Sequence, residues 1–387
     1  MEEGRTVICI KNAKVVLEHG ILFDGVILID NGRIAEVGDA RDIPVPHDCE
    51  TVDAGGCYVG PGFVDIHCHG GGDSMFHTDP TGAAAHFLAH GETTVLATLY
   101  YDFDLPDLID SIGRIEAAMG VGAGRAIGGI YMEGPYMNPK YGASPEKNKW
   151  RGEIAAERYA PLADRLGDLV KVWAVAPERE GLEPFMAYAK KTNPEVVFAV
   201  GHSEASPKQV ARLKKYGIRL QTHSMNATGR VPLWLGTRAC GPDEACMLDP
   251  EMYAELISDS LAVHVNPELQ RLVLKNKGVD RVILISDSFV SHEAPPPDLA
   301  HVTDLSFDAQ SNLSGSRLTM DMACRNIMRH TTCGICEAFL LGARNPARAV
   351  GMDDEIGTIE AGKRANLVFV DDIFNVKKVM LDGEIVG

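Results

Sequence analysis

The sequence has no run of about 18 apolar residues, the length a helix needs to cross a bilayer, so a membrane span is not expected. It also lacks a basic excess. Fifty-four acidic residues stand against 37 basic ones, for a formal net charge of −17, and most of the surface therefore repels phosphate backbones and anionic membranes. Nucleic acid and membrane are accordingly not expected as partners. That balance does not extend to a small pocket, where metal ions and helix ends set the local field. Residues 1–6 are polar and charged, with no cationic segment leading into an apolar run, so no secretory leader is expected. Nine cysteines is an odd number, which suits reduced thiols in a cytoplasm better than a disulfide framework. Cys333 and Cys336 have redox or zinc-ligand spacing, but no second such pair completes a zinc site, and their neighbours read as the start of a buried helix. Gly70-Gly71-Gly72 is not followed by Lys-Ser or Lys-Thr, so it is not a phosphate loop.

What is present is a chain of 387 residues, 45% hydrophobic and 24% charged, long enough for one large domain and one smaller. The first fifty-odd residues alternate short β-branched runs with turn signals, including Asn31-Gly32 between two strand-like segments, the strongest short hairpin signal. The same texture returns after residue 364, around Asp382-Gly383. Residues 1–57 and 346–387 are therefore expected to form a small β-sandwich domain, and residues 58–345 the larger domain.

That middle region alternates strand-length apolar runs with helical periodicity. Eight strands are expected, over residues 63–67, 93–99, 127–133, 170–176, 196–202, 219–223, 253–258 and 281–287. Helices are expected at 81–90, 105–119, 207–216 and 267–277, several opened by Asp or Ser followed by Pro. Eight such repeats make the fold class α/β, a closed (β/α)8 TIM-like barrel, with a doubly wound open sheet as the alternative. Residues 291–316, with Pro295-Pro296-Pro297, read as a long loop after the eighth strand.

Metal-ligand residue types fall at the ends of these strands. His67 and His69 end the first, Glu133 the third, His202 the fifth, His223 the sixth and Asp287 the eighth. In a barrel these carboxyl ends converge on one face, where barrel enzymes keep their sites. A His-x-His at a strand end puts both rings on the same face, able to reach one ion, and imidazole with carboxylate suits Zn2+ or Fe2+. Glu133 can bridge two ions. Each residue alone is compatible with packing or a turn; six at equivalent strand ends are not. His86, His90 and His330 on helices, and His19, His47, His77, His292 and His301 in turns or loops, read as surface or packing residues. Trp150, Trp173 and Trp234 read as packing, although Trp234 could wall the pocket.

Pro61-Gly62-Phe63-Val64-Asp65-Ile66-His67-Cys68-His69-Gly70 resembles the first-strand signature of the amidohydrolase superfamily. Glu133-Gly134-Pro135-Tyr136-Met137-Asn138, Gly201-His202-Ser203, Thr222-His223-Ser224-Met225-Asn226-Ala227, His264-Val265-Asn266-Pro267 and residues 313–321 resemble the N-acetylglucosamine-6-phosphate deacetylases within it. The resemblance implies that Glu133, His202 and His223 hold the principal metal and that His67 and His69 offer a second position. It implies Asp287 as general base and acid, Asn226 and Ala227 as substrate contacts, and His264 as the group that polarises the acyl carbonyl or meets the sugar phosphate. His264 lies two residues farther from Asp259 than is usual in that family. Two departures touch the pocket. Ser144 follows Gly142-Ala143 where the family has His, and Thr228-Gly229 stands where it has a His-Arg pair that helps hold the phosphate; Arg230 or Arg238, neither in register, is the candidate substitute, and Ser144 and Arg230 are taken as substrate contacts. The expected function is deacetylation of an N-acetylated amino sugar, such as N-acetylglucosamine 6-phosphate or a relative. The expected enzyme uses one or two divalent ions, zinc or iron, and is a cytoplasmic homodimer. The alternatives are another amidohydrolase, acting on a cyclic amide, N-acyl amino acid or dipeptide, and a non-catalytic barrel that only binds.

Overall fold

The computed structural model describes residues 7–226 and 233–387. Eight strands run through its larger part: Phe63–Cys68, Glu92–Tyr100, Ile127–Glu133, Val170–Val175, Val197–Val200, Ile218–Gln221, Tyr253–Leu256 and Val282–Leu284. Each pairs in parallel with the next in sequence. The first and eighth are joined just beyond their ends, where the Asp287 N–H donates to the His67 carbonyl at 2.9 Å and the His69 N–H to the Ser288 carbonyl at 2.8 Å. Sequential order with joined ends is a barrel. The doubly wound alternative, whose strand order must reverse at a switch point, does not apply.

These strands are buried along nearly their whole length, which is why they read as continuous apolar runs rather than as alternation. One core of aliphatic and aromatic side chains, among them Phe63, Trp173, Phe185, Phe198 and Ile283, fills the barrel and the layer beneath its helices. Helix starts follow the chain's punctuation. Asp79, Asp104 and Asn266 accept backbone N–H groups of Gly82, Asp107 and Leu269, and Ser206 forms a reciprocal cap with Gln209, each with Pro in the first helical turn. Among the described residues no helix is long and apolar enough to cross a membrane.

Both chain ends build a second sheet. Ile8–Leu17 pairs with Gly20–Asp30 on one side and with Glu50–Asp53 and Tyr58–Pro61 on the other; Tyr58–Pro61 then pairs with Leu367–Val370, followed by Val376–Leu381. Ile8–Leu17 is one strand with an irregularity at Asn12, whose φ is 53°. The strand after residue 57 thus belongs to this sheet by its hydrogen bonds, and Gly62 carries the chain into the barrel where any Cβ would strike Thr93. Asn31-Gly32 and Asp382-Gly383 both make their turns with two consecutive positive φ values (51° and 73°; 50° and 83°), the tight-hairpin geometry that only such residues adopt cheaply.

One correction concerns the mouth of the barrel. Residues 291–316 are not loop throughout, because Leu305–Phe307 and Leu313–Ser316 form an antiparallel hairpin. Three- and four-residue strands separated by Asp, Gln, Ser and Asn give too short an apolar run to be legible as strands. The hairpin is anchored at the eighth strand's end, where the Ser316 N–H donates to the Asp287 carbonyl and the Phe289 N–H to the Ser316 carbonyl, each at 2.9 Å.

At the opposite side, Arg344 fastens the small sheet to the barrel. Its side chain is 4% exposed, pairs with Glu18 from the first hairpin and Asp280 before the eighth strand, and donates to Asn345 Oδ1. Burial raises the Glu18 carboxyl, but Arg344 outweighs it, and Arg344 lowers Asp280 as well. Carboxyls depressed in the folded state contribute stability above their unfolded pKa and lose it as pH falls through the folded value. Arg344→Ala is expected to destabilise the fold by about 2 kcal/mol near neutral pH, with the gap to wild type narrowing under acid. Urea unfolding at two pH values checks it.

Candidate metal centre

The third strand delivers Glu133 into the barrel mouth, where its side chain is 8% exposed and meets four imidazoles. Oε1 lies 2.8 Å from His202 Nε2 and 3.2 Å from His223 Nε2, and Oε2 lies 3.2 Å from His69 Nε2 and 3.8 Å from His67 Nε2. Two groups result, His67 with His69 and Glu133, and His202 with His223 and Glu133, each with one ligand-type atom per residue within 4.8 Å of the others. Glu133 is common to both. Asp287 completes the cluster, its Oδ1 3.3 Å from His69 Nε2 and 3.6 Å from His67 Nε2.

Backbone conformation aims these groups. His202, His223 and Asp287 all have positive φ (45°, 28° and 49°), a region costing on the order of 1 kcal/mol or more for a residue with a β-carbon. Strain at three strand ends, all at residues of one cluster, is what a site held by its surroundings shows.

The electrostatics call for a cation. Burial pushes the Glu133 carboxyl up, yet the hydrogen bonds with His202 and His223 and the facing rings of His67 and His69 outweigh it and hold the group well below the carboxylate range. Burial lowers His67, His69 and His223, but facing carboxylates overcome it and raise all three. At His202 burial wins and the ring is lowered. Positive charge is thus favoured between Glu133 and Asp287. Three buried ring nitrogens, His67 Nε2, His69 Nδ1 and His202 Nδ1, have no hydrogen-bond partner, an arrangement that costs free energy unless something accepts those atoms. His67 Nε2 is the one that faces Glu133 and Asp287. Neutral imidazole and carboxylate at this spacing fit a divalent transition ion.

The cluster opens into a cleft of about 630 Å³, within the size range of small-ligand sites. His264, Asn226 and Ser144 line it. His264 is held by Asp259, whose Oδ2 is 3.0 Å from its Nδ1, and its Nε2 lies 3.2 Å from the Gly315 carbonyl of the hairpin. Asn226 donates to the His264 carbonyl at 3.2 Å, and the Ser144 N–H donates to Tyr101 Oη at 3.3 Å. Ala227 and Arg230, with Thr228 and Gly229, lie outside the described residues, as does the Trp234 side chain. Arg238 is exposed and paired with Glu244.

The remaining histidines stay away from the cluster: His90 faces Asp321, His330 contacts Ser258 and Gln270, and His77 packs on Phe103. Trp150 and Trp173 are core residues, and Cys333 and Cys336 are free thiols at the start of the helix Ile335–Phe339. Sequence reasoning passed over the aromatic walls Tyr100, Tyr101, Phe289 and Phe307, and also Glu255. Glu255 is fully buried on the seventh strand, 3.4 Å from His67 Nδ1. A lone carboxylate within Tyr253-Ala254-Glu255-Leu256 was the available signal.

Comparison with known proteins matches the model of the amidohydrolase family over residues 58–386. Among curated relatives, N-acetylglucosamine-6-phosphate deacetylase of Bacillus subtilis is 25% identical over 97% of this chain and 96% of its own length. N-acetylgalactosamine-6-phosphate deacetylase of Escherichia coli O157:H7 is 28% identical over 96% and 97%. A solved N-acetyl-D-glucosamine-6-phosphate deacetylase from Mycobacterium smegmatis, in complex with N-acetyl-D-glucosamine-6-phosphate, superposes with a TM-score of 0.82 at 27% identity, covering 99% of both chains. The corresponding enzyme of Pasteurella multocida shares the fold, with a TM-score of 0.86 at 23% identity, covering 98% of this chain and all of the other. With its eight-stranded barrel and a histidine–carboxylate cluster at the strand ends, this chain belongs to the amidohydrolase family.

Proposed function

We propose that the protein is a metal-dependent hydrolase that removes the acetyl group from an N-acetylated amino sugar. The observation that carries this reading is the pair of ligand groups sharing Glu133, with Asp287 Oδ1 3.3 Å from His69 at the floor of the cleft. The two curated relatives named above are named for epimeric sugars, and the element common to both is an N-acetylated amino sugar 6-phosphate. Zinc or ferrous iron as the ion, a cytoplasmic setting and a homodimer are the finer parts of the same proposal.

Glu133, His202 and His223 would hold one divalent ion and His67, His69 and Glu133 a second; when bound, such ions supply Lewis acidity toward an amide carbonyl and lower the pKa of water. The chain's own residues supply the rest. Burial raises the Asp287 carboxyl, but His69, His67 and His223 outweigh it, so the group is ionised near neutral pH. It can therefore take a proton from the attacking water and later deliver it to the departing amine, two transfers that one carboxylate performs in sequence. His264 lines the cleft with Nδ1 held by Asp259 and Nε2 beside the Gly315 carbonyl; an Nε2–H exchanged from that carbonyl to the substrate would meet the negative charge that develops on the acyl oxygen. Water attacks the acyl carbon, the C–N bond breaks, and acetate and a free amine leave.

The cleft's charge bears on the sugar. Among its described lining residues outside the metal cluster, Lys147 is the single Lys or Arg, against Asp102, Glu146, Glu293 and Asp308. A phosphate there meets mostly carboxylates. A charge-assisted contact of the kind a His-Arg pair gives contributes about 1.5 to 3 kcal/mol, so its loss weakens a phosphorylated substrate by roughly 10- to 150-fold in kcat/KM.

Two measurements test these assignments. Asp287→Asn should retain fold and metal while kcat falls by roughly 10² to 10⁴, since only the proton carrier is removed. Metal lost together with activity would make Asp287 chiefly a ligand, and near wild-type turnover would remove its role. For the substrate, kcat/KM should be as high or higher for N-acetylglucosamine or N-acetylgalactosamine as for their 6-phosphates. A strong preference for a 6-phosphate that Arg230→Ala abolishes would place an anion site in residues 227–232 and contradict the reading of the cleft.

A further inference from the structure

Glu255 is a carboxylate of 0% exposure in the middle of a four-residue barrel strand, and its surroundings are specific. Oε2 lies 3.4 Å from His67 Nδ1 and accepts the His223 backbone N–H at 3.2 Å. Oε1 accepts the Tyr131 hydroxyl at 3.4 Å, and that hydroxyl lies 2.8 Å from Thr222 Oγ1. Among the described residues no Lys or Arg pairs with it, and the basic side chain in contact with it is the His67 ring. Burying a carboxyl is unfavourable unless its oxygens find partners. A buried acid placed so as to touch both histidine pairs is an expensive way to fill a core.

We propose that Glu255 is a positioning residue for the metal centre, holding the proton of His67 on Nδ1 so that Nε2 is presented to a divalent ion. The inference rests on the metal reading above. It accounts for the asymmetry of the ring: Nδ1 has a carboxylate partner, while Nε2 is buried without a hydrogen bond and faces Glu133 Oε2 at 3.8 Å and Asp287 Oδ1 at 3.6 Å. His69 and His202 show no such arrangement, since the Nδ1 of each has no partner. The Tyr131 ring, centred 4.4 Å from that of His67, stops the imidazole from turning away, and the Tyr131 hydroxyl fixes the other oxygen of Glu255. Through Oε2, one carboxylate also sets the backbone of His223, so the two halves of the centre share an anchor beneath Glu133. A carboxylate behind a ligating imidazole fixes its tautomer and raises its basicity, and loss of such a partner typically lowers metal affinity 10- to 100-fold.

The test is titration of Zn2+ into the metal-stripped full chain as wild type, Glu255→Gln, His67→Ala and the double variant, with the metal-free melting temperature measured for each. Wild type is expected to take two ions. Glu255→Gln should weaken one of them by about 10- to 100-fold, leave the metal-free melting temperature nearly unchanged, and cause no further loss in the His67→Ala background. Equal affinity for both ions in wild type and Glu255→Gln overturns the inference. A loss that adds in full to that of His67→Ala, or a collapse of the metal-free protein without change in Zn2+ affinity, also overturns it, because either marks Glu255 as a support of the barrel. Should Glu255→Gln not fold, the 15N signals of His67 in Zn2+-loaded wild type decide, with a proton on Nδ1 expected and a proton on Nε2 contradicting. A wild-type chain that binds no Zn2+ defeats the metal reading itself, an outcome distinct from intact binding in Glu255→Gln.

Discussion

A carboxylate buried where water cannot reach it must be met by positive charge, and Glu133 is such a group. Four imidazoles lie within 3.8 Å of it, drawn from the first, fifth and sixth strands. Nothing local in the chain brings these residues together, since 156 residues separate His67 from His223 in sequence. Closure of the barrel does it, and the left-handed backbone at His202, His223 and Asp287 shows that the surroundings hold these residues against their local preference. The raised pKa values of His67, His69 and His223 follow from the same constraint.

Asp287 sits where three parts of the architecture meet. Its N–H donates to the His67 carbonyl and closes the barrel, its carbonyl accepts the Ser316 N–H of the hairpin, and its carboxylate faces the cluster. The same hairpin supplies the Gly315 carbonyl beside His264. One short element therefore touches both Asp287, the residue proposed as proton carrier, and His264, the residue proposed to meet the oxyanion. The small sheet is joined to the barrel through Gly62, through Arg344, and through Val16, Val368 and Val370, which lie in the barrel's own core.

The barrel was legible because its strands are buried on both faces and read as β-branched runs, each closed by a residue whose type is out of place in a core. His67, Glu133, His202, His223 and Asp287 stand out at the ends of such runs, and the rule that strand ends converge supplied the rest. Glu255 escaped because it lies inside a strand rather than at its end, where a single charged residue reads as an outward-facing position until the sheet closes around it. The hairpin at 305–316 escaped for the opposite reason, since its strands are too short for periodicity and its register is set by Asp287 and Phe289 rather than by its own sequence. The aromatic walls of the cleft, Tyr100 and Tyr101 at the end of the second strand, Phe289 beyond the eighth and Phe307 in the hairpin, come from distant parts of the chain, and no local pattern marks them.

The central claim is that the histidine–carboxylate cluster works only with a divalent ion in place. It is tested most directly by acetate release from N-acetylglucosamine, with and without a 6-phosphate, by chelator-stripped protein before and after Zn2+ or Fe2+ is restored. The account predicts that stripping abolishes turnover and that one of these ions returns it. Undiminished release by the metal-free protein would contradict it.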